Sequence, residues 1–180
     1  MSSFLGLARR IDALTAFCGR HVSWLLLAAV LVSTGNAIMR KAFNLASNSW
    51  LELQWYFFGA VFMLTAADAL RRNAHVRIDV LTTYFSKRTR DIIDLVCHVT
   101  FLLPFCLLMT WLSWPYFMTA AKSGEVSANY GGLILWPAKL LILLGFALLL
   151  AQSISEIIKR WAVLKGAMVD TQESAGLDLT

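Results

Sequence analysis

The sequence predicts an all-α polytopic membrane protein of four transmembrane helices, with short interfacial amphipathic segments. Three observations carry this. Of 180 residues, 58% are hydrophobic and 15% charged, whereas a soluble domain has about 45–50% apolar and about 25% charged residues. The charges are segregated: segments 22–39, 50–70, 92–121 and 133–158 contain only Glu52, Asp68, Asp94, Lys139 and Glu156 out of 16 basic and 11 acidic residues. Each segment is also long enough to cross a bilayer core, which takes about 20 apolar residues.

The first segment follows Arg9, Arg10 and Arg20 and ends at Met39-Arg40-Lys41. A basic start before an apolar run resembles a signal peptide. No small-x-small cleavage pattern follows, so an uncleaved helix is expected. The first 20 residues alternate apolar positions with arginines and Asp12. That spacing suits either a helix lying on the membrane surface or an extension of the first span.

In the second segment Glu52, Tyr56, Gly59, Met63 and Ala66 share a helical face, and its small residues allow close helix approach. Asp68 can meet Arg71 and Arg72 at i+3 and i+4. Ile78, Leu81 and Phe85 then recur at the spacing of a short interfacial helix.

Ser86 is placed to cap the third helix, with Asp91 and Asp94 complementing its dipole. At 30 residues this helix would reach roughly 45 Å, so it tilts or projects. Pro104 and Pro115 are candidate kinks. A glycine-rich connection, 122–132, leads to Trp136-Pro137, where proline suits a first helical turn. Glu156, Lys159 and Arg160 are spaced for pairing at the far end.

Basic residues outside the spans number twelve on one alternate side and three on the other. The positive-inside rule then places both termini in the cytoplasm. This asymmetry accounts for the net charge of +5 without nucleic acid. Cys18, Cys97 and Cys106 form no CxxC pair, so neither a disulfide framework nor a zinc site is implied. No catalytic motif appears, and His98 alone lies inside a span, which gives little basis for haem ligation. No catalytic residue, cofactor or metal is expected.

The charges within the spans sit toward their ends. A mid-membrane ionisable residue is the usual mark of an ion pathway, so coupling is not expected in this chain. Glu52 is close in depth to Arg40, and a pair between them would tie the first two helices; alternatively it reaches water or another subunit. Lys139 is expected to snorkel outward or to meet a partner's acid. Trp55 and Tyr56 belong to an aromatic-rich end. Arg40, Glu52, Trp55, Tyr56 and Lys139 are therefore the candidate partner-interface residues.

Glu52-Leu53-Gln54-Trp55-Tyr56-Phe57-Phe58-Gly59, His75-Val76-Arg77-Ile78-Asp79-Val80, Phe101-Leu102-Leu103-Pro104-Phe105, Gly131-Gly132-Leu133 and Trp136-Pro137-Ala138-Lys139 follow one another in order. With Gly145-Phe146 and Gln152, this series resembles the small membrane subunit (DctQ-type) of tripartite ATP-independent periplasmic, or TRAP, transporters. The resemblance covers about residues 10 to 165.

It implies a permease subunit of the bacterial inner membrane that scaffolds a large membrane transport subunit as a heterodimer, surrounded by phospholipid. A periplasmic substrate-binding protein would visit transiently. The system would import organic acids, often carboxylates, by sodium-coupled symport, with substrate and sodium held by the large subunit. The residues alone also admit a stand-alone four-helix homodimeric exporter, or a membrane anchor of a redox enzyme.

Overall fold

The structure is a computed structural model describing residues 2–45, 47–74 and 86–166. Its helices are α1 (Ser2–Phe43), α2 (Asn48–Arg71), α3 (Lys87–Cys97), a π-helical turn (His98–Leu102), α4 (Leu103–Ser123) and α5 (Trp136–Leu164). Among the described residues, four continuous helical stretches are long and apolar enough to cross a membrane, since α3, the π turn and α4 run on as one. The chain is a multi-pass membrane protein. The interfacial helix expected around Ile78, Leu81 and Phe85 lies outside the described residues.

Helix α1 settles the alternative left open for its first 20 residues: they extend the first span. Its 42 residues correspond to about 63 Å, twice the roughly 30 Å hydrocarbon core. Polarity ends an apolar span but not a helix, because backbone hydrogen bonds continue into water.

Helix α5 is central. It packs against α1, α2 and α4, and α1 also packs along α2. Helix α1 buries Ala8, Thr15, Val22 and Ala29, and α4 buries Cys106, Ser113 and Ala120. Both series recur every seven residues, the period of helices wound left-handedly around a neighbour. Small side chains on these seams let the backbones come close, the main source of attraction between helices in lipid. The seams are narrow, so most of the surface of α1 and α4 stays bare. On α1, Phe17, Trp24, Leu31 and Ile38 form a second seven-residue series, all exposed.

Two glycines sit hard against a neighbouring helix, but not at the position expected. Gly59 has open space before it. Gly145 on α5 faces Met63 of α2, and Gly19 on α1 faces Asp68 of α2.

Of the two candidate kinks, Pro104 adjoins the π turn, whereas Pro115 sits inside α4. Pro104 has no N–H to offer the preceding turn. The Leu103 N–H reaches back to the His98 carbonyl, five residues away, widening the helix there. Helix α4 ends at Gly124, whose φ of 61° is the left-handed conformation that stops a helix at little cost for glycine. The connection that follows is a small hairpin: Ser127 N–H donates to the Leu133 carbonyl at 2.9 Å and Leu135 N–H to the Glu125 carbonyl at 2.9 Å.

Candidate functional site

Polar side chains gather at two ends of the bundle. The loop end holds the hairpin. The charged end is where α1 begins and α5 finishes.

At the loop end, the first three turns of α2 grip the hairpin. Asn48 donates to the Tyr130 carbonyl at 3.0 Å, Ser49 to the Gly131 carbonyl, and the Tyr56 hydroxyl to the Ile134 carbonyl at 3.0 Å. Glu52 is 5% exposed. One carboxylate oxygen accepts from the Ser127 hydroxyl and from Asn129 Nδ2 at 2.8 Å, and the other from the Leu133 N–H at 2.6 Å. Helix α5 adds Lys139, whose ammonium meets Glu125 at 2.5 Å and lies 4.2 Å from the Tyr116 ring centre on α4. Helices α2 and α5 are thus fastened to one loop, and Lys139 also joins α5 to α4.

These partners correct two expectations. Glu52 pairs with hairpin donors and not with Arg40, which projects into the open near the bare end of α1. Lys139 neither snorkels outward nor waits for a partner's acid; it is 8% exposed and neutralised by Glu125 of its own chain. Burial drives both outcomes, since a buried charge is stable only when paired or fully hydrogen-bonded. Tyr56 faces the hairpin, whereas Trp55 is 68% exposed. Trp55 borders a shallow groove between α2 and α5 with Gly59, Met63 and Leu141. Of the five candidates, the structure gathers Glu52, Tyr56 and Lys139 around the hairpin, and leaves Arg40 and Trp55 at the surface.

The charged end contains pairings that cross the whole sequence. Asp12 on α1 accepts from Gln152 at 2.9 Å and Ser155 at 2.8 Å, and pairs with Lys159 at 3.1 Å, all on α5. Gln152 Nε2 also donates to Glu156 at 2.9 Å. Glu156 and Lys159 pair locally at 2.5 Å, as their spacing suggested. Arg160 instead reaches α3, meeting Asp91 at 2.8 Å and Asp94 at 3.4 Å. Those two acids therefore bind a cation from another helix in addition to lying in early turns of α3. Asp68 meets Arg71 and Arg72, both at 2.8 Å, as expected. Ser86 caps α3, accepting from the Thr89 N–H at 3.4 Å. His98 bonds the Asp94 carbonyl of its own helix at 2.6 Å.

Sequence reasoning missed Asn48, Ser49, Glu125, Ser127 and Asn129 at one end, and the reach of Asp12 to Gln152 and Ser155 at the other. A signal existed for Glu125. It is the one acid in the connection before α5, and Lys139 the one cation inside a span. Chemically, both clusters are sets of paired charges and hydrogen bonds, with one exception among the described residues: the buried Gln152 Oε1 accepts from no donor. Among the described residues no group of three or more His, Cys, Asp and Glu is placed to hold a metal ion.

A family model described as "Tripartite ATP-independent periplasmic transporters, DctQ component" matches residues 29–163. No curated protein and no solved structure matches the chain. The family match begins in α1, takes in the other helices and the hairpin, and ends one residue short of the end of α5. Membership implies partnership with a large membrane subunit and a binding protein. The chain belongs to the DctQ family, the small permease subunits of TRAP transporters.

Proposed function

We propose that this subunit is a scaffold, holding the large transport subunit in place while that subunit carries an organic acid inward with sodium. One observation carries the reading: the ionisable side chains within the spans are committed to neighbours at the two ends, with an uncharged stretch between. On α2 that stretch runs from Glu52 to Asp68, and on α5 from Lys139 to Glu156. A carrier of ions needs polar groups along its path. A scaffold needs a stiff body and bare apolar surface, which the exposed series on α1 and the outer face of α4 supply.

Within this reading Arg40 and Trp55 are contact residues for partners. Glu52, Tyr56 and Lys139 shape the surface by fixing the hairpin. The twelve-to-three distribution of cations supports cytoplasmic termini and a periplasmic hairpin.

Reconstitution tests this directly. The chain alone in liposomes is expected to move no carboxylate under a sodium gradient. Together with its large subunit and binding protein, it is expected to support sodium-dependent uptake. Uptake by the chain alone would overturn the scaffold reading. For orientation, a cysteine placed at Ala128 should label from the periplasmic side, and one at Gly6 should not.

A further inference from the structure

Five of the seven tryptophans, Trp24, Trp50, Trp55, Trp136 and Trp161, lie within four residues of a charged side chain. That is the membrane-edge depth where amphipathic rings collect. Trp111 and Trp114 do not follow them. Trp111 stands eleven residues from Lys122 and seventeen from Asp94, with no charge between. Eleven residues rise about 16 Å, close to half the roughly 30 Å hydrocarbon core. Both rings nonetheless face outward, Trp111 at 78% and Trp114 at 55% exposed.

The two rings border a groove of about 540 Å³ between α4 and α5, with Leu107, Pro115, Leu143 and Leu150. Leu143 and Leu150 straddle the middle of the uncharged stretch from Lys139 to Glu156. A second helix therefore assigns the groove the same mid-bilayer depth.

This apolar place holds unmet polar atoms. Among the described residues neither indole N–H has an acceptor. Pro115 sits inside α4 and has no N–H, so the Trp111 carbonyl, four residues earlier, lacks its helical donor. The hydroxyls nearby do not replace that donor: Thr110 donates to the Cys106 carbonyl at 2.7 Å and Ser113 to the Met109 carbonyl at 2.6 Å. Hydrocarbon offers no partner to such groups, and each one left unmet there is costly. Phospholipid oxygens lie at the edge of the core, about 15 Å away. An acyl chain would fill the groove and leave the polar atoms as they are.

The groove thus calls for an occupant that is apolar outside and carries polar atoms to the bilayer centre. A transmembrane helix with one Ser, Thr, Asn or Gln does this. A carboxamide could accept from an indole and donate to a carbonyl at once. Family membership supplies such a partner in the large membrane subunit. We infer that the α4–α5 groove seats a transmembrane helix of the large subunit, whose uncharged polar side chain accepts from Trp111 Nε1 and donates to the Trp111 carbonyl. The inference rests on the scaffold reading and gives it a contact point.

Affinity of the full chain for its purified large subunit, measured in detergent, tests the contact. Trp111→Phe keeps a ring but loses the N–H, and should weaken binding about threefold. Leu107→Trp fills the groove and should weaken it roughly tenfold or more. Trp161→Phe, at the charged end, should leave it unchanged. All three replace exposed side chains, so each variant alone should unfold at the wild-type temperature. On binding, the isotope-labelled indole proton of Trp111 should shift downfield while that of Trp161 stays. A photoreactive benzoylphenylalanine in place of Trp114 should crosslink to the large subunit. Wild-type affinity in both groove variants overturns the inference, as does an unmoved Trp111 signal or a crosslink only to lipid or to a second copy of this chain. In each of those cases binding by the wild type keeps the scaffold reading standing. Failure of the wild type to bind the large subunit overturns both.

Discussion

Gly145 of α5 lies hard against Met63 of α2: a β-carbon on the glycine would lie 2.7 Å from Met63 Cβ and 3.0 Å from its carbonyl oxygen. The backbone oxygen cannot swing aside, so Gly145→Ala must part the helices. The expected cost is about 1–3 kcal/mol, as for other overpacked interiors. Gly59 gives the contrast, since nothing lies within 4 Å of its β-position. Gly59→Ala should be neutral, or stabilising by about 0.4–1 kcal/mol. Thermal unfolding of the two variants in the same detergent separates these outcomes, and equal shifts would contradict the packing described.

Gly19→Ala tests a contact of another kind. Its β-carbon would fall 2.5 Å from an Asp68 carboxylate oxygen. Arg71 and Arg72 hold that carboxylate at 2.8 Å each, so it cannot turn away. Gly19→Ala is expected to destabilise, and Asp68→Ala in the same chain to relieve part of the effect. A double-mutant cycle should show coupling of about 0.5–3 kcal/mol. Strict additivity would mean that the two residues do not meet.

Arg160 joins α5 to α3 through Asp91, with both side chains nearly fully buried. Removing one partner of such a pair strands the other, at a cost of about 3–5 kcal/mol. Arg160→Met should therefore be among the most damaging single changes at the charged end. Adding Asp91→Asn should recover a large part of the loss. Chemical unfolding followed by helicity measures both; a loss below about 1 kcal/mol for Arg160→Met would contradict a buried pair.

Glu52 holds the hairpin through three donors. Glu52→Gln keeps an acceptor but loses the charge that strengthens those bonds. Hydrogen exchange at Leu133 and nearby hairpin amides should quicken, more so in Glu52→Ala, while exchange in the middle of α5 stays as it was. Unchanged hairpin exchange in Glu52→Ala would show that the carboxylate is dispensable for holding the loop.

Much of the fold was legible because hydropathy has one strong meaning in a membrane. The second span, 50–70, differs from α2 by two residues at its start and one at its end. The others fell short wherever a helix outruns the hydrocarbon. Helix α1 starts 20 residues before Val22, and α5 continues past Ile158 to Leu164. Lipid selects for apolar residues only where it touches the helix, so the wet turns carried no comparable signal.

The sites were less legible for a geometric reason. Local pairs such as Asp68 with Arg71 follow from helical spacing. The Glu52 contacts span 75 to 81 residues and end in a hairpin whose shape depends on its own turn. Glu52 and Lys139 stood out as unusual charges, yet nothing in their spacing named Ser127, Asn129 or Glu125.

The bonds between Asp12 and α5 join residues 140 to 147 positions apart. That separation bears on how the protein is made. Until Trp136–Leu164 has left the ribosome, the first helix has only its hairpin neighbour to rest on, α4 lacks its main support, and Asp12 and Asp91 lack their counter-charges. The four spans can each enter the bilayer as they emerge, but the bundle closes only when the last is synthesised. A chain cut short within α5 would present unpaired acids and bare seams together, the features by which a cell's membrane proteases can tell an unfinished subunit from one ready to meet its partner.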